Sequence, residues 1–299
     1  MVKNQSLKKL YTIIVTCLLI LVSLTGLSYA APTAGGELRT HFLITPDDSG
    51  FEFDGLTLDF NADFSAKDGV RGEFNYDGRN VDTLAYYYIN NIFADDQFNV
   101  GRFAIDWASE RSVTFNGSLA EQVQRMGGVA RPRDFGFEKG IGVKYKIDFP
   151  SFALVTSISN YEFGEGTDLV GRGVFKINPN LQIGAGLASI NRDTDVNDFA
   201  VLVDAGFSSG PVNLLFEVVG VNSERGTEEE TNSGFYAEAS YEASQRFTVY
   251  GSFCGAEDLI DEMLAAGILT KITPYATIRG ELQNTRDDWN FLLGLKVNF

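Results

Sequence analysis

The sequence predicts an all-β protein: a transmembrane antiparallel up-and-down β-barrel of sixteen strands, with fourteen as the alternative count. Three observations predict it. Apolar and polar residues alternate with period two, as a strand requires when its two faces meet different surroundings. The alternating runs are about 9–12 residues long, which suits a tilted strand crossing a bilayer, whereas soluble strands centre on roughly 5–6. The connections alternate between tight turns and longer, more acidic stretches.

Composition agrees. The chain has 299 residues, 24 Lys+Arg against 40 Asp+Glu, a net charge of −16, and 44% hydrophobic residues. That apolar content excludes disorder, and the acid excess excludes nucleic-acid binding by charge. Beyond residue 30 no apolar run reaches the ~18 residues of a membrane helix. Mean hydropathy is −0.05, as expected when each strand is apolar on one face only.

Residues 1–30 read as a cleaved secretory signal. Lys3, Lys8 and Lys9 precede a mostly apolar stretch from Leu10 to Val22, and Ser28-Tyr29-Ala30 leads to a cut before Ala31. Cys17 lies inside the apolar stretch, which argues against a lipoprotein signal. Removal of this segment takes the net charge from −16 to −19 and leaves Cys254 as the remaining cysteine, so no internal disulfide is expected. Residues 31–299 then form one barrel domain.

Strands are expected at 36–45, 51–65, 70–77, 82–93, 97–107, 137–149, 152–162 and 168–177, then at 181–190, 198–207, 212–221, 234–242, 246–253, 265–272, 275–283 and 290–299. The clearest are Leu56-Leu58-Phe60-Ala62-Phe64, Ile141-Val143-Tyr145-Ile147-Phe149 and Phe199-Val201-Val203-Ala205-Phe207, each interleaved with a second face. The weak segments 70–77 and 265–272 carry the fourteen-strand alternative, by merging with neighbours. Leu84 to Ile89 is apolar on both faces and Arg102 breaks the alternation, so a bulge is expected there. Tight turns are expected near 65–70, 94–97, 150–151, 178–180, 208–211, 243–245 and 273–274. Longer loops are expected at 46–50, 77–81, 108–136, 162–167, 191–197, 222–233, 254–264 and 284–289. Both chain ends fall on the short-turn side. Phe149, Phe152, Tyr241, Phe247 and Tyr275 suit an interfacial girdle.

If the apolar face meets lipid, the other face lines water. That places Arg39, Arg71, Lys144, Lys146, Arg172, Lys176, Arg279, Glu217 and Glu281 along a pore, since Arg or Lys facing hydrocarbon at mid-depth costs about 2–4 kcal/mol. His41 shares the face of Arg39 and Leu43 and is expected inside. This disfavours a lipid hydrolase, whose site should face outward, and the chain is read as a non-enzyme. The acidic stretches Asp47-Asp48, Glu228-Glu229-Glu230, Glu257-Asp258 and Asp261-Glu262 are read as solvated loop tips, with divalent-cation binding the less favoured reading. No zinc-ligand spacing, Walker motif or nucleophile elbow occurs, so no metal or cofactor is expected.

The last strand, Asn290 to Phe299, sets Phe291, Leu293, Leu295, Val297 and Phe299 on one face and ends on an aromatic residue. It resembles the C-terminal assembly signal of bacterial outer-membrane barrels, carried by Gly294, Val297 and Phe299, with Leu292 a departure where a polar residue is usual. Ala85-Tyr86-Tyr87-Tyr88 and Phe98-Asn99-Val100-Gly101-Arg102-Phe103, followed by a long stretch to Gly136, resemble porins of the phosphate-selective O/P type and related general porins. The lysine-rich loop of the phosphate-selective type is absent. The resemblance implies that 108–136 is a third outer loop folded into the pore, with Glu110, Arg111, Glu121, Arg125, Arg131, Arg133 and Asp134 as constriction candidates. These arginines either give a weak anion lean or pair with Glu110, Glu121, Asp134 and wall carboxylates and pin the loop. It further implies passive diffusion of small hydrophilic solutes and ions, a homotrimer, insertion into the outer-membrane bilayer by the barrel-assembly machinery, and no nucleic-acid partner. The competing class is a structural or adhesion barrel without an open pore.

Overall fold

A computed structural model describes residues 32–45, 49–76, 81–108, 139–160, 166–193, 196–225, 228–257, 262–285 and 288–299. The segment 1–30 and the stretch 109–138 lie outside them, and with them the signal reading and all seven constriction candidates. The strands are β1 (Thr33–Ile44), β2 (Ser49–Asp63), β3 (Asp68–Tyr76), β4 (Val81–Asn90), β5 (Asp96–Ala104), β6 (Lys139–Asp148), β7 (Phe152–Asn160) and β8 (Thr167–Asn178). They continue as β9 (Leu181–Asp193), β10 (Val196–Ser209), β11 (Val212–Arg225), β12 (Glu228–Ser244), β13 (Phe247–Glu257), β14 (Met263–Thr273), β15 (Ala276–Thr285) and β16 (Asp288–Asn298). Each pairs antiparallel with its chain neighbours, and β1 pairs with β16, so the sheet closes as a barrel of sixteen strands. The weak segments expected at 70–77 and 265–272 are separate strands, each paired on both edges.

Closure leaves no open sheet edge, so backbone groups find partners around the whole ring. The chain end completes it. Gly36 N–H donates to Phe299 O at 2.9 Å and Phe299 N–H donates to Gly36 O at 3.0 Å. The Phe299 ring lies over Gly36, where an added Cβ would come within 2.7 Å of it.

Alternation sets the two faces. Leu187, Val203, Phe216, Phe235, Leu264 and Leu293 are exposed on the outside, with many others like them. The residues that alternate with these outward positions point inward and include Asp204, Glu217, Glu238 and Glu281. Phe149, Tyr241, Phe247 and Tyr275 are exposed at the turn-side ends of their strands, while Phe152 packs on Phe175 at 4.8 Å between ring centroids.

The expected long connections at 191–197, 222–233 and 284–289 are corrected. The strands run on until Val196 faces Asp193, Glu228 faces Arg225 and Asp288 faces Thr285. Ladder hydrogen bonds satisfy backbone groups whatever the side chains are, so acidic residues do not stop a hairpin. The bulge expected at strands four and five is also corrected. Pairing runs without a register shift from β3 through β6. The irregularity is absorbed at Gly101, whose φ of 134° favours glycine. Register shifts fall instead at Arg39/Thr40, Lys176/Asn178, Val196/Asn197, Glu242/Ser244 and Lys271/Thr273.

Candidate functional site: the lumen wall and its strap

Register places the inward residues of β8 to β14 in rows around the barrel. Nearest the loop side, Val170, Ala188, Ala200 and Val221 face one another in sequence. The next row holds Gly186, Leu202 and Val219, beside Arg172. Below it stand Gly184, Asp204, Glu217, Tyr236, Cys254 and Met263. The row nearer the turns reads Lys176, Gln182, Gly206, Leu215, Glu238 and Ser252. The wall therefore grades from apolar at the loop side, through a charged band, to amides and carboxylate at the turn side.

The apolar part is packed. Val170, Ala188, Ile190, Ala200, Leu202, Val219 and Val221 are buried, and they join one cluster with Phe103, Ile105 and Trp107. These last three come from the end of β5 and the residues after it. The strand expected to reach residue 107 ends at Ala104, and residues 105–108 leave the ladder. They cross the lumen side of β6 and β7 to reach β8 and β9, forming a strap.

Two cations hold the strap by its carbonyls. Lys144 of β6 donates to Ala104 O at 2.9 Å and pairs with Asp106 at 3.3 Å, its Nζ lying 5.4 Å from the Phe103 ring centroid. Arg172 of β8 donates to Trp107 O at 2.7 Å and to Asp204 Oδ2 at 2.6 Å. Both Arg172 and Asp204 are buried, and a charge that deep is tolerated when it is paired and hydrogen-bonded. Two glycines make the space. A Cβ at Gly184 would lie 2.3 Å from Asp204 Oδ2, and one at Gly186 would lie 2.8 Å from Trp107 Nε1.

The other expected pore residues take several positions. Arg39 and Lys296, opposite each other on β1 and β16, both pair with Glu37. Lys176 pairs with Asp148 and donates to Phe149 O at 3.3 Å. Arg71 sits 5.5 Å from the Tyr88 ring centroid. It lines a charged hollow of about 570 Å³ with Asp59, Glu73, Tyr86, Asp106 and Lys144. Lys146 stands opposite Gln97, exposed, and Arg279 opposite Gly294, half-buried. Glu217 is fully buried, and Glu281 accepts the Tyr250 O–H at 2.6 Å. His41 faces Gly294 across the β1–β16 seam. Arg39, Lys144, Arg172 and Lys176 are thus tied to carboxylates, which damps the fixed positive charge expected of them.

Sequence reasoning missed the strap anchor Trp107, the Lys144 partner Asp106 and the apolar lumen patch. A signal existed: Leu187 to Ile190 and Val218 to Val221 are nearly apolar on both faces.

No protein-family model matches the chain, and no curated protein matches it in sequence. Solved structures do match in fold. The chain is similar to a loop L8 deletion mutant of OmpT, an outer membrane protein of Vibrio cholerae, at 15% identity and TM-score 0.71, covering 90% of this chain and 99% of that one. In-vitro folded OmpT in a trimer form matches at 12% identity and TM-score 0.70, with the same coverage of 90% and 99%. An anion-selective porin from Comamonas acidovorans matches at 12% identity and TM-score 0.69, again covering 90% and 99%. The chain's closed barrel of sixteen strands is thus similar in fold to these outer-membrane proteins.

Proposed function

We propose that the protein is an outer-membrane porin, a water-filled channel for passive diffusion of small hydrophilic solutes and ions. The observation that carries this reading is the division of faces: large apolar side chains cover the outside of a closed barrel, while charged and amide side chains line the inside below an apolar loop-side patch. Apolar-out and polar-in is the arrangement of a barrel that crosses a bilayer around an aqueous lumen. Residues 1–30 are the export signal in this reading, the bacterial outer membrane is the destination, and the β16 ending is the mark read by the assembly machinery. The trimer form of Vibrio cholerae OmpT supports a homotrimer. No catalytic role is assigned.

A weak anion lean is the finer part of the proposal. It rests on Arg111, Arg125, Arg131 and Arg133, because the described wall pairs much of its own positive charge. Planar-bilayer recording of the refolded protein tests both levels. Stepwise conductance is expected, with closures in threes for trimeric pores. A reversal potential in a salt gradient that favours cations would remove the anion lean and assign selectivity to the wall carboxylates.

A sealed structural or adhesion barrel is the second reading, and the packed cluster around Trp107 favours it by filling part of the loop-side lumen. Refolded, heat-modifiable protein without conductance would establish it over the channel.

A further inference from the structure

We propose that the turn-side half of the β8–β12 wall is a weak binding subsite for uncharged, hydroxyl-rich solutes of the saccharide class; this deepens and rests on the channel reading. The site is a cavity of about 560 Å³ at the lumen mouth between the turns. That volume lies within the ~300–1,000 Å³ of small-molecule pockets.

Two inward rows build it. Gln182, Gly206, Leu215 and Glu238 face one another in one row. Ser208, Asn213 and Ser240 do so in the next. Gly206 and Leu215 adjoin in the middle and give an apolar step, while amides and hydroxyls surround it. The Gln182 amide offers two donors and an acceptor, the Ser240 hydroxyl offers both functions, and Ser208, which donates to Asn213 Oδ1 at 2.5 Å, keeps its acceptor side. That mixture matches vicinal hydroxyl groups, which also donate and accept, and the apolar step matches the C–H face of a sugar ring.

Charge selects within that class. Lys176 lines the cavity, but its ammonium is committed to Asp148 and to Phe149 O at 3.3 Å. The carboxylate present is Glu238, which accepts the Tyr236 O–H at 2.6 Å. A phosphorylated sugar would meet this carboxylate with no uncommitted ammonium from Lys176 to offset it, so neutral sugars are preferred. A cation would gain from Glu238, but that carboxylate already accepts the Tyr236 O–H, and the N–H donors and the apolar step give a cation nothing. Neutral hydroxyls use the donors and the acceptors alike.

The test is open-channel current in a planar bilayer with maltose, and with glucose 6-phosphate, added to either side. Maltose is expected to reduce the current saturably, with faster block from the side of the short turns. Glucose 6-phosphate is expected to block more weakly. Gln182→Ala combined with Ser240→Ala is expected to raise the half-blocking maltose concentration about tenfold, the loss of two neutral hydrogen bonds. The conductance of the variant in salt alone checks that its pore has formed. Block that grows linearly with maltose and is equal in the variant overturns the subsite and leaves the channel standing. So does stronger block by the phosphate. Absence of any conductance overturns the channel reading, and the subsite with it.

Discussion

Arg172 grips the main-chain carbonyl of Trp107 at 2.7 Å, from a strand three positions further round the barrel than the one Trp107 leaves. The same guanidinium holds Asp204 at 2.6 Å. One side chain thus ties an inward-running segment to two strands of the wall.

Removing that grip should leave a buried carboxylate without its cation. Breaking one partner of such a pair is worth about 3–5 kcal/mol. Arg172→Ala is therefore expected to lower the urea midpoint of the folded barrel markedly. Arg172→Leu with Asp204→Leu should recover part of the loss, since neither charge remains to be stranded. The denaturation series checks the order: single variant lowest, double variant between it and the parent protein. A single variant as stable as the parent would mean that Asp204 finds another cation.

Gly186 leaves the space into which the Trp107 indole fits. A Cβ there would come within 2.8 Å of Nε1, so Gly186→Val must push the ring off the wall. The chain has two tryptophans, and Trp289 is exposed. In a Trp289→Phe background, Trp107 alone reports. Its emission is expected to be blue-shifted and shielded from iodide, and to shift red with loss of shielding in Gly186→Val. Unchanged emission would place the indole elsewhere.

The last residue acts through the first strand. Phe299 exchanges two backbone hydrogen bonds with Gly36 and lays its ring over it. Deleting Phe299, or making Gly36→Val, should leave the β1–β16 seam open at its turn-side end. The fraction of protein that becomes heat-modifiable on refolding is expected to fall in both variants, whereas Phe299→Tyr should refold as the parent does. This separates the local closure from any recognition of the terminus by cellular machinery, because refolding in detergent needs none.

The turn from Asn91 to Asp95 is built on Asp96. Its carboxylate accepts the N–H of Ile92 at 2.7 Å, the N–H of Phe93 at 3.2 Å and the O–H of Tyr145 at 2.8 Å. Hydrogen bonds to a charged group are worth about 1.5–3 kcal/mol each, and the three share one acceptor. Asp96→Ala is expected to destabilise the β4–β5 hairpin by about 2 kcal/mol, and Tyr145→Phe by about 1 kcal/mol. Denaturant midpoints check both. Hydrogen exchange at Ile92 and Phe93 should speed up in Asp96→Ala and stay close to parent rates in Tyr145→Phe.

Alternation made the barrel legible, because period two depends only on neighbouring residues. Even the weak strands β3 and β14 obey it: Val70 and Phe74 share one side of β3, Arg71 and Glu73 the other. The strap was not legible for the same reason. Alternation sends each apolar side chain to lipid and so gives Leu202, Val219 and Val221 no role inside. Their inward placement needs the segment 105–108 that covers them, which lies far away in sequence. The pairing of Arg172 with Asp204 was hidden too. Arg172 faces Gly186 across the ladder, and the small Gly184 beside it lets the guanidinium reach the next strand. A side chain's row can be read from sequence, but its partner depends on register and on what its neighbours leave empty.

The outward face offers a graded test of what surrounds the barrel. Val203 lies near the middle of β10, and Phe207 lies close to the turn that follows it. Both point outward and are exposed. In a bilayer, Lys at the midplane costs about 2–4 kcal/mol, and near the interface about 0–1 kcal/mol. Val203→Lys should therefore destabilise the folded barrel in lipid far more than Phe207→Lys, with the folded fraction in urea as the measure. In detergent micelles, which deform around a charge, the gap should narrow. Equal losses at the two depths would mean that this face packs against protein rather than hydrocarbon, because a protein surface has no reason to follow membrane depth.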